Sequence, residues 1–357
     1  MPNTVRAQIN LSALRHNFSI VRQLCPDSRI MAMIKANAYG HGLLPVARTL
    51  SEADGLAVAR LQEALELRQA GIAQRVQLLG TLLDDEDLRI CSAQNIDVTA
   101  HDMATVERIA RLAADTPLRV WLKLDSGMHR LGLTAEEFPV AEQRLRNRAG
   151  VLELGHMTHF SSADDPASPA TGQQLTQFVS AHATSVAPVS IANSAALISL
   201  PQGRADWVRP GIMLYGDNPL ATTHSLPLRP VMSLRARVLA LRHIGKGEPV
   251  GYSARWRSER GSLIATLGIG YGDGYPRHAP SGTPVWINGR RASLAGTVSM
   301  DTISIDVTDC PGVEVGTEAE LWGEELAAAE VASHAGTISY ELFTGLGSRV
   351  LREYVDR

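Results

Sequence analysis

The sequence predicts a (β/α)8 barrel followed by a mainly β C-terminal domain, and three observations carry that prediction. Eight short apolar runs recur between residues 30 and 210, beginning about 17 to 37 residues apart, which is the spacing of repeated βα units. Between two of them, residues 61–70 repeat apolar side chains at i, i+3 and i+4 and are followed by Gly71, the pattern of an amphipathic helix with a glycine stop. From about Pro230 the texture changes to strand-like runs broken by turn residues. A doubly wound open sheet would use the same alternation with fewer strands, whereas eight units can close. The expected boundaries are 10–229 for the barrel and 230–357 for the β domain.

Taken in order, residues 4–9 read as a strand, and segment 1–9 can pair with either domain. Ser12-Ala13-Leu14-Arg15 reads as a capped helix start. The barrel strands are expected at 30–34, 56–59, 76–79, 96–99, 118–124, 152–157, 189–192 and 206–209. Farther on, 231–243 is strand-like, Gly245-Lys246-Gly247 is a turn, 263–268 is apolar, and 284–287 runs into Asn288-Gly289, a hairpin signal. No internal repeat, low-complexity segment or long linker stands out.

With 45% hydrophobic and 20% charged residues, the chain suits a globular protein with a substantial core. A net charge of −3, with no basic block, argues against nucleic acid as a partner. Cys25, Cys91 and Cys310 are odd in number and far apart, with no C-x-x-C pair, which fits a reducing cytoplasm. The N-terminus shows no charged leader before an apolar core, and no run is long enough to span a bilayer, so neither export nor a membrane partner is expected. No metal is expected either. There is no H-E-x-x-H motif, and His156 and His159, three apart on a strand of period two, face opposite sides.

In a barrel of this kind reactive groups sit at the C-terminal ends of the strands. Lys35 follows the first run, Lys123 and Asp125 end the fifth, His159 follows the sixth, Asn193-Ser194 follow the seventh, and Arg209-Pro210-Gly211 end the eighth. Lys35 is the most informative. A strand buried on both faces places its terminal amine in a dry pocket mouth, where burial lowers the pKa and keeps part of it neutral. A neutral lysine can condense with an aldehyde, and pyridoxal phosphate (PLP) is one. A lone lysine at a strand end would more commonly snorkel to water; the ring of polar strand ends is what changes the weighting. Ser194, the backbone amides of Gly211 and Ile212, and a tyrosine hydroxyl can donate to a phosphate.

Eight segments together resemble a known family. Lys35-Ala36-Asn37-Ala38-Tyr39-Gly40-His41-Gly42 resembles the cofactor-attachment motif of the PLP-dependent alanine racemases. The stretch from Lys123 to Gly132, Thr158-His159-Phe160, Val208-Arg209-Pro210-Gly211-Ile212 and Val250-Gly251-Tyr252 resemble its later motifs. So do the stretch from Gly270 to Arg277, Val298-Ser299-Met300-Asp301 and Ile338-Ser339-Tyr340-Glu341. The family's fold, a PLP-binding barrel followed by a β domain, agrees with the reading from periodicity.

The resemblance implies an isomerase that interconverts L- and D-alanine, supplying D-alanine for peptidoglycan or taking part in alanine catabolism. It makes Lys35 the Schiff-base lysine and the base on the D-face. Tyr252 becomes the base on the L-face and arrives from a second subunit, so a homodimer with shared active sites is expected. Racemisation needs two bases, because one would return the proton to the side it left. Ionising a phenol of pKa near 10 at pH 7 costs about 4 kcal/mol. The family pattern offers a cation for this in His159, backed by Arg209. Arg209 meets the cofactor's pyridine nitrogen, where a guanidinium cannot hold a proton on the ring as a carboxylate would, so transamination and decarboxylation are disfavoured.

By the same resemblance Arg130 and the Met300 amide bind the substrate carboxylate, and Tyr39, Ser194, Gly211, Ile212 and Tyr340 surround the phosphate. Tyr271 and Asp301 line the pocket mouth, and Lys123, often carbamylated in the family, positions Arg130. One departure is Ser253, where a glycine usually follows the tyrosine; a positive φ there would strain the loop. Competing readings are a racemase of broader specificity, a decarboxylase of the same architecture, whose cysteine motif Cys310 does not resemble, and a non-enzymatic PLP carrier, which would have no use for the β domain.

Overall fold

β1 (Val5–Asn10) opens the chain, and the eight strands after it close on themselves. These are β2 (Arg29–Met33), β3 (Gly55–Val58), β4 (Arg75–Leu78), β5 (Ile96–Ala100), β6 (Leu118–Lys123), β7 (Val151–Met157), β8 (Val189–Asn193) and β9 (Trp207–Arg209). In this computed structural model, which describes residues 4–220 and 226–357, each pairs in parallel with the next. The circle closes where Arg29 and Ile30 of β2 meet Trp207 and Val208 of β9, so the open-sheet alternative is set aside. Residues 1–3 of segment 1–9 and residues 221–225 of segment 10–229 lie outside the described residues.

Polar and apolar layers fill the barrel. At the N-terminal end Asp97, fully buried, pairs with Arg75 and Arg119, and the Arg75 guanidinium lies over the rings of Trp121 and Trp207. One layer up, Gln77 reaches Thr99 and the Met157 sulfur across the interior. This packed floor leaves only the C-terminal end open, which is where a barrel of this type carries chemistry.

The helix after β3 runs Leu61–Gln69 and ends in a Schellman motif. Gly71, at φ +78, donates to Arg68 O, and Ile72 donates to Leu67 O, both at 3.0 Å. Gly71 is therefore one position past the cap. The first helix, Leu11–Leu24, is capped by Asn10, whose side chain accepts from the Ala13 amide at 3.1 Å. Ser12 lies inside the helix, so the expected cap was two residues late; the last residue of β1 serves as the cap.

The C-terminal part contains β10 (Met232–Ile244), β11 (Pro249–Val250), β12 (Trp256–Arg257), β13 (Ser262–Leu267), β14 (Pro284–Ile287), β15 (Arg290–Leu294), β16 (Ile303–Asp306), β17 (Glu318–Trp322) and β18 (Leu351–Val355). The order β13-β16-β15-β14-β17-β10, with β10 also paired to β13, closes a second, antiparallel ring. A bulge between Val238 and Ala240 lets the long β10 serve both flanks. β1 pairs with β10 and β18, so the N-terminal strand belongs to this sheet and not to the parallel barrel. Asn288 and Gly289 take φ of +49 and +76 between paired Ile287 and Arg290, as a two-residue type I′ hairpin requires. Among the described residues no helix is long and apolar enough to cross a membrane, and no cluster of metal-ligating side chains is present.

Candidate active site

A cavity of about 1010 Å³ opens at the C-terminal end of the parallel barrel. Lys35, Tyr39, Lys123, Arg130 and His159 line one part of it, and Ser194, Arg209, Gly211, Ile212 and Tyr340 another. Most of the polar strand ends expected from the sequence thus share one space; Asp125 does not line it, and its carboxylate accepts instead from the amides of Gly127, Met128 and His129.

Lys35 leaves β2 into an unusual turn. Ala36, Asn37, Ala38 and Tyr39 all have left-handed φ, at 53°, 55°, 53° and 52°. Each non-glycine residue there costs about 1–2 kcal/mol, so the turn persists only because its surroundings hold it. The Asn37 amide donates to Glu63 Oε1 at 3.2 Å, and the Leu43 amide donates to Asn37 Oδ1 at 2.8 Å. Arg352, from β18, donates Nε–H to Gly40 O at 2.6 Å. Gly40 itself, at φ +79, has no room for a side chain, since a Cβ would lie 2.0 Å from Phe343 O. Glu63 and Arg352 were not singled out as site residues, because their contacts are long-range and leave no local signature; His41 lies within the quoted motif but was given no role.

Electrostatically the site is a cluster of cations. Burial, then Arg130 and Arg209, lower the Lys35 pKa, with Glu63 opposing, as the strand-end argument expected. Lys123 is pushed down to about 8 by burial and by Arg209, Arg130 and Lys35. His159 falls well below its ordinary value through burial and the same four cations, Arg209, Lys123, Arg130 and Lys35. This favours the neutral imidazole, whereas the resemblance implies a cation beside Tyr252. Arg209, lowered by burial to about 10, stays charged.

Arg209 is held rigidly. Its NH1 donates to Ser190 O and Oγ at 2.6 and 2.7 Å, and its NH2 to Thr158 O at 2.6 Å. Nε makes no hydrogen bond among the described residues and remains the donor free for a ligand. Ser190 was missed in the sequence, because a small polar residue inside an apolar strand gives no sign of what it braces, and Thr158, quoted within a motif, acts here through its backbone carbonyl, which any residue would supply.

The Gly211 amide donates to Ser194 Oγ at 2.7 Å, so it reaches a ligand only through that hydroxyl. Burial raises the pKa of Tyr39 and Tyr340, keeping both as neutral donors. A Cβ at position 211 would stand 2.6 Å from the Tyr39 hydroxyl, and Tyr39 is stacked on Tyr215 at 4.8 Å. Gly211→Ala is expected to weaken cofactor binding by about tenfold, the scale of overpacking a fitted site; equilibrium dialysis of PLP measures it.

Four expected site residues are elsewhere. Tyr252 is 69% exposed, Met300 53% and Tyr271 39%. Thr297 Oγ1 donates to Tyr252 O, the Tyr271 amide donates to Ser299 O, and Asp301 pairs with Arg349 at 2.7 Å. Tyr252, Tyr271, Met300 and Asp301 therefore form one surface of the β part, and none lines the cavity of its own chain. The expectation that Met300, Tyr271 and Asp301 border the pocket is not met within a single chain.

Residues 9–219 match the model for the alanine racemase N-terminal domain, and residues 231–354 that for the alanine racemase C-terminal domain. The chain belongs to the alanine racemase family. It is 45% identical to the catabolic alanine racemase of Pseudomonas putida over 98% of both chains. The crystal structure of the biosynthetic alanine racemase from Pseudomonas aeruginosa is 43% identical and superposes with a TM-score of 0.96 over 99% of each chain. The alanine racemase from Bartonella henselae, solved with covalently bound pyridoxal phosphate, is 30% identical, with a TM-score of 0.90 over 99% of this chain and 100% of that one.

Against this family's common pattern, Ser253 is the departure, and its backbone has φ +62. Position 253 does require the left-handed region. Ser253→Gly in this alanine racemase family member is expected to stabilise the fold by about 1 kcal/mol, read as a rise in the urea midpoint at unchanged slope.

Proposed function

We propose that in this chain, a PLP-dependent isomerase acting on alanine, Lys35 and a Tyr252 supplied by a second copy are the two bases. Segment 10–229 would carry the cofactor and Lys35, and segment 230–357 would lend Tyr252 and Met300 to the partner's cavity. One observation carries the reading. The amine of Lys35, with its lowered pKa, and the free Nε–H of Arg209 open onto the same cavity.

The residues present fit PLP. Lys35 Nζ can attach its aldehyde carbon, and Arg209 Nε–H can meet the pyridine nitrogen. Tyr39, Ser194 and Tyr340 present neutral hydroxyls to the phosphate, beside the Gly211-Ile212 backbone. When bound, the cofactor withdraws electrons from the substrate's Cα–H bond. Arg130, with the Met300 amide of the second copy, orients the substrate carboxylate. Lys35 Nζ takes or returns the proton on the D-face, and Tyr252 Oη does so on the L-face.

His159, neutral among four cations, can accept a hydrogen bond from the Tyr252 hydroxyl without taking its proton, and the positive field of Arg209 and its neighbours favours the phenolate. With a pKa of about 8, Lys123 is about one-tenth neutral at pH 7, which permits carbamylation and an anion beside Arg130. The three buried free cysteines support a cytoplasmic setting.

The test is borohydride reduction of the holoenzyme with peptide mapping, alongside racemisation assays on alanine, serine and lysine. Label on Lys35 and turnover of alanine above the other two are expected. Label on another lysine would contradict the assignment, and equal turnover of all three would favour the broader racemase.

A further inference from the structure

The Lys35 turn contains a fully buried ionisable group that none of the roles above uses. His41 Nδ1 lies 2.9 Å from Tyr39 O. A carbonyl only accepts, so Nδ1 carries the proton and Nε2 is left bare. Nε2 is buried with no hydrogen-bond partner in the structure. Burial holds the imidazole near a pKa of about 4, so this tautomer persists across the neutral range.

The ring is packed as tightly as it is bonded. It lies 4.5 Å from Tyr215 and 5.2 Å from Phe343, and Tyr215 in turn stacks on Tyr39. Tyr215 donates its hydroxyl to Met33 O at 2.9 Å, at the last residue of β2. His41 thus grips the backbone of Tyr39 directly and meets its ring through Tyr215. Three of the four left-handed residues, Ala36, Ala38 and Tyr39, have no intrinsic tendency toward that conformation.

We propose that His41 is a positioning residue of the racemase, whose Nδ1–H on the Tyr39 carbonyl locks the left-handed turn that presents Lys35 and Tyr39 to the cavity. This rests on the reading that Lys35 and Tyr39 hold PLP.

The experiment compares His41→Phe, which keeps an aromatic ring and loses the donor, with His41→Asn, which loses the ring and places an amide N–H near the position of Nδ1. The readouts are release of cofactor from each holoenzyme, kcat against KM for alanine, and Tm. If the hydrogen bond is what matters, H41F releases cofactor about tenfold faster than the unsubstituted enzyme, the scale of an orphaned buried carbonyl, and kcat falls more than KM rises. H41N stays closer to the unsubstituted enzyme in release although its Tm is lower. A packing role alone predicts the reverse ranking, and either that ranking or equal release in both variants would overturn the proposal. In the unsubstituted holoenzyme, 15N chemical shifts should report the Nδ1–H tautomer; the Nε2–H tautomer would overturn it however the variants fold. Borohydride label at a residue other than Lys35 would instead defeat the underlying reading.

Discussion

Lys35→Ala is expected to leave no cofactor fixed by borohydride and to lower kcat for racemisation by about 10³-fold or more, since one side chain supplies both the covalent anchor and a general base. Lys35→Arg should do no better, because a guanidinium stays protonated at every working pH. Both variants should keep the fold, as the side chain points into an open cavity and not into the packed floor. The pH dependence has a definite sign. Burial and the neighbouring Arg130 and Arg209 lower the Lys35 pKa, and only the neutral amine attacks an aldehyde. The rate at which cofactor-free protein captures PLP should therefore rise with pH, with its midpoint below the ordinary lysine value of 10.5. Stopped-flow capture from pH 6 upward measures this, and a midpoint at or above that value would contradict the electrostatic account.

What could be read from the sequence follows from how each feature is encoded. The eight barrel strands were legible because a strand buried on both faces must be written as a nearly unbroken apolar run. Their ends shifted by only a residue or two, as at β7, expected at 152–157 and found at Val151–Met157. The Asn288-Gly289 hairpin was legible because only a few residue types tolerate both of its central conformations. By contrast, Ala36, Asn37, Ala38 and Tyr39 form a left-handed turn without a single glycine. Besides His41, its supports are Glu63, Phe343 and Arg352, residues distant in the chain, and a local reading sees only "turn".

The charge state of His159 was illegible for a related reason. It depends on Lys35, Lys123, Arg130 and Arg209 converging from the ends of three different strands, β2, β6 and β9, and a motif shows a histidine without showing what surrounds it. The resemblance supplied residue identities that periodicity could not, such as Tyr252 and Met300. It implied that Tyr252 comes from a second subunit, but not that Met300, Tyr271 and Asp301 share that surface apart from their own chain's cavity.

That separation makes the second large effect a property of the pair of chains. Tyr252→Phe is expected to keep its cofactor, since Tyr252 is 69% exposed and does not line its own chain's cavity, while kcat falls by about 10²- to 10⁴-fold for want of the second base. If Tyr252 acts in its own chain after some rearrangement, two inactive variants can never restore each other. If it serves a second copy, they can. Mixing Lys35→Ala with Tyr252→Phe under conditions that exchange subunits yields hybrids in which one cavity carries both defects and the other carries native Lys35 and native Tyr252. With random exchange, about a quarter of all cavities in an equal mixture become native-like, so about a quarter of unsubstituted activity should return. A mixture that exchanges subunits, as shown by mass spectrometry, yet stays inactive would rule out the shared cavity. Tyr252 would then need a route to the substrate within its own chain, whose cavity it does not line.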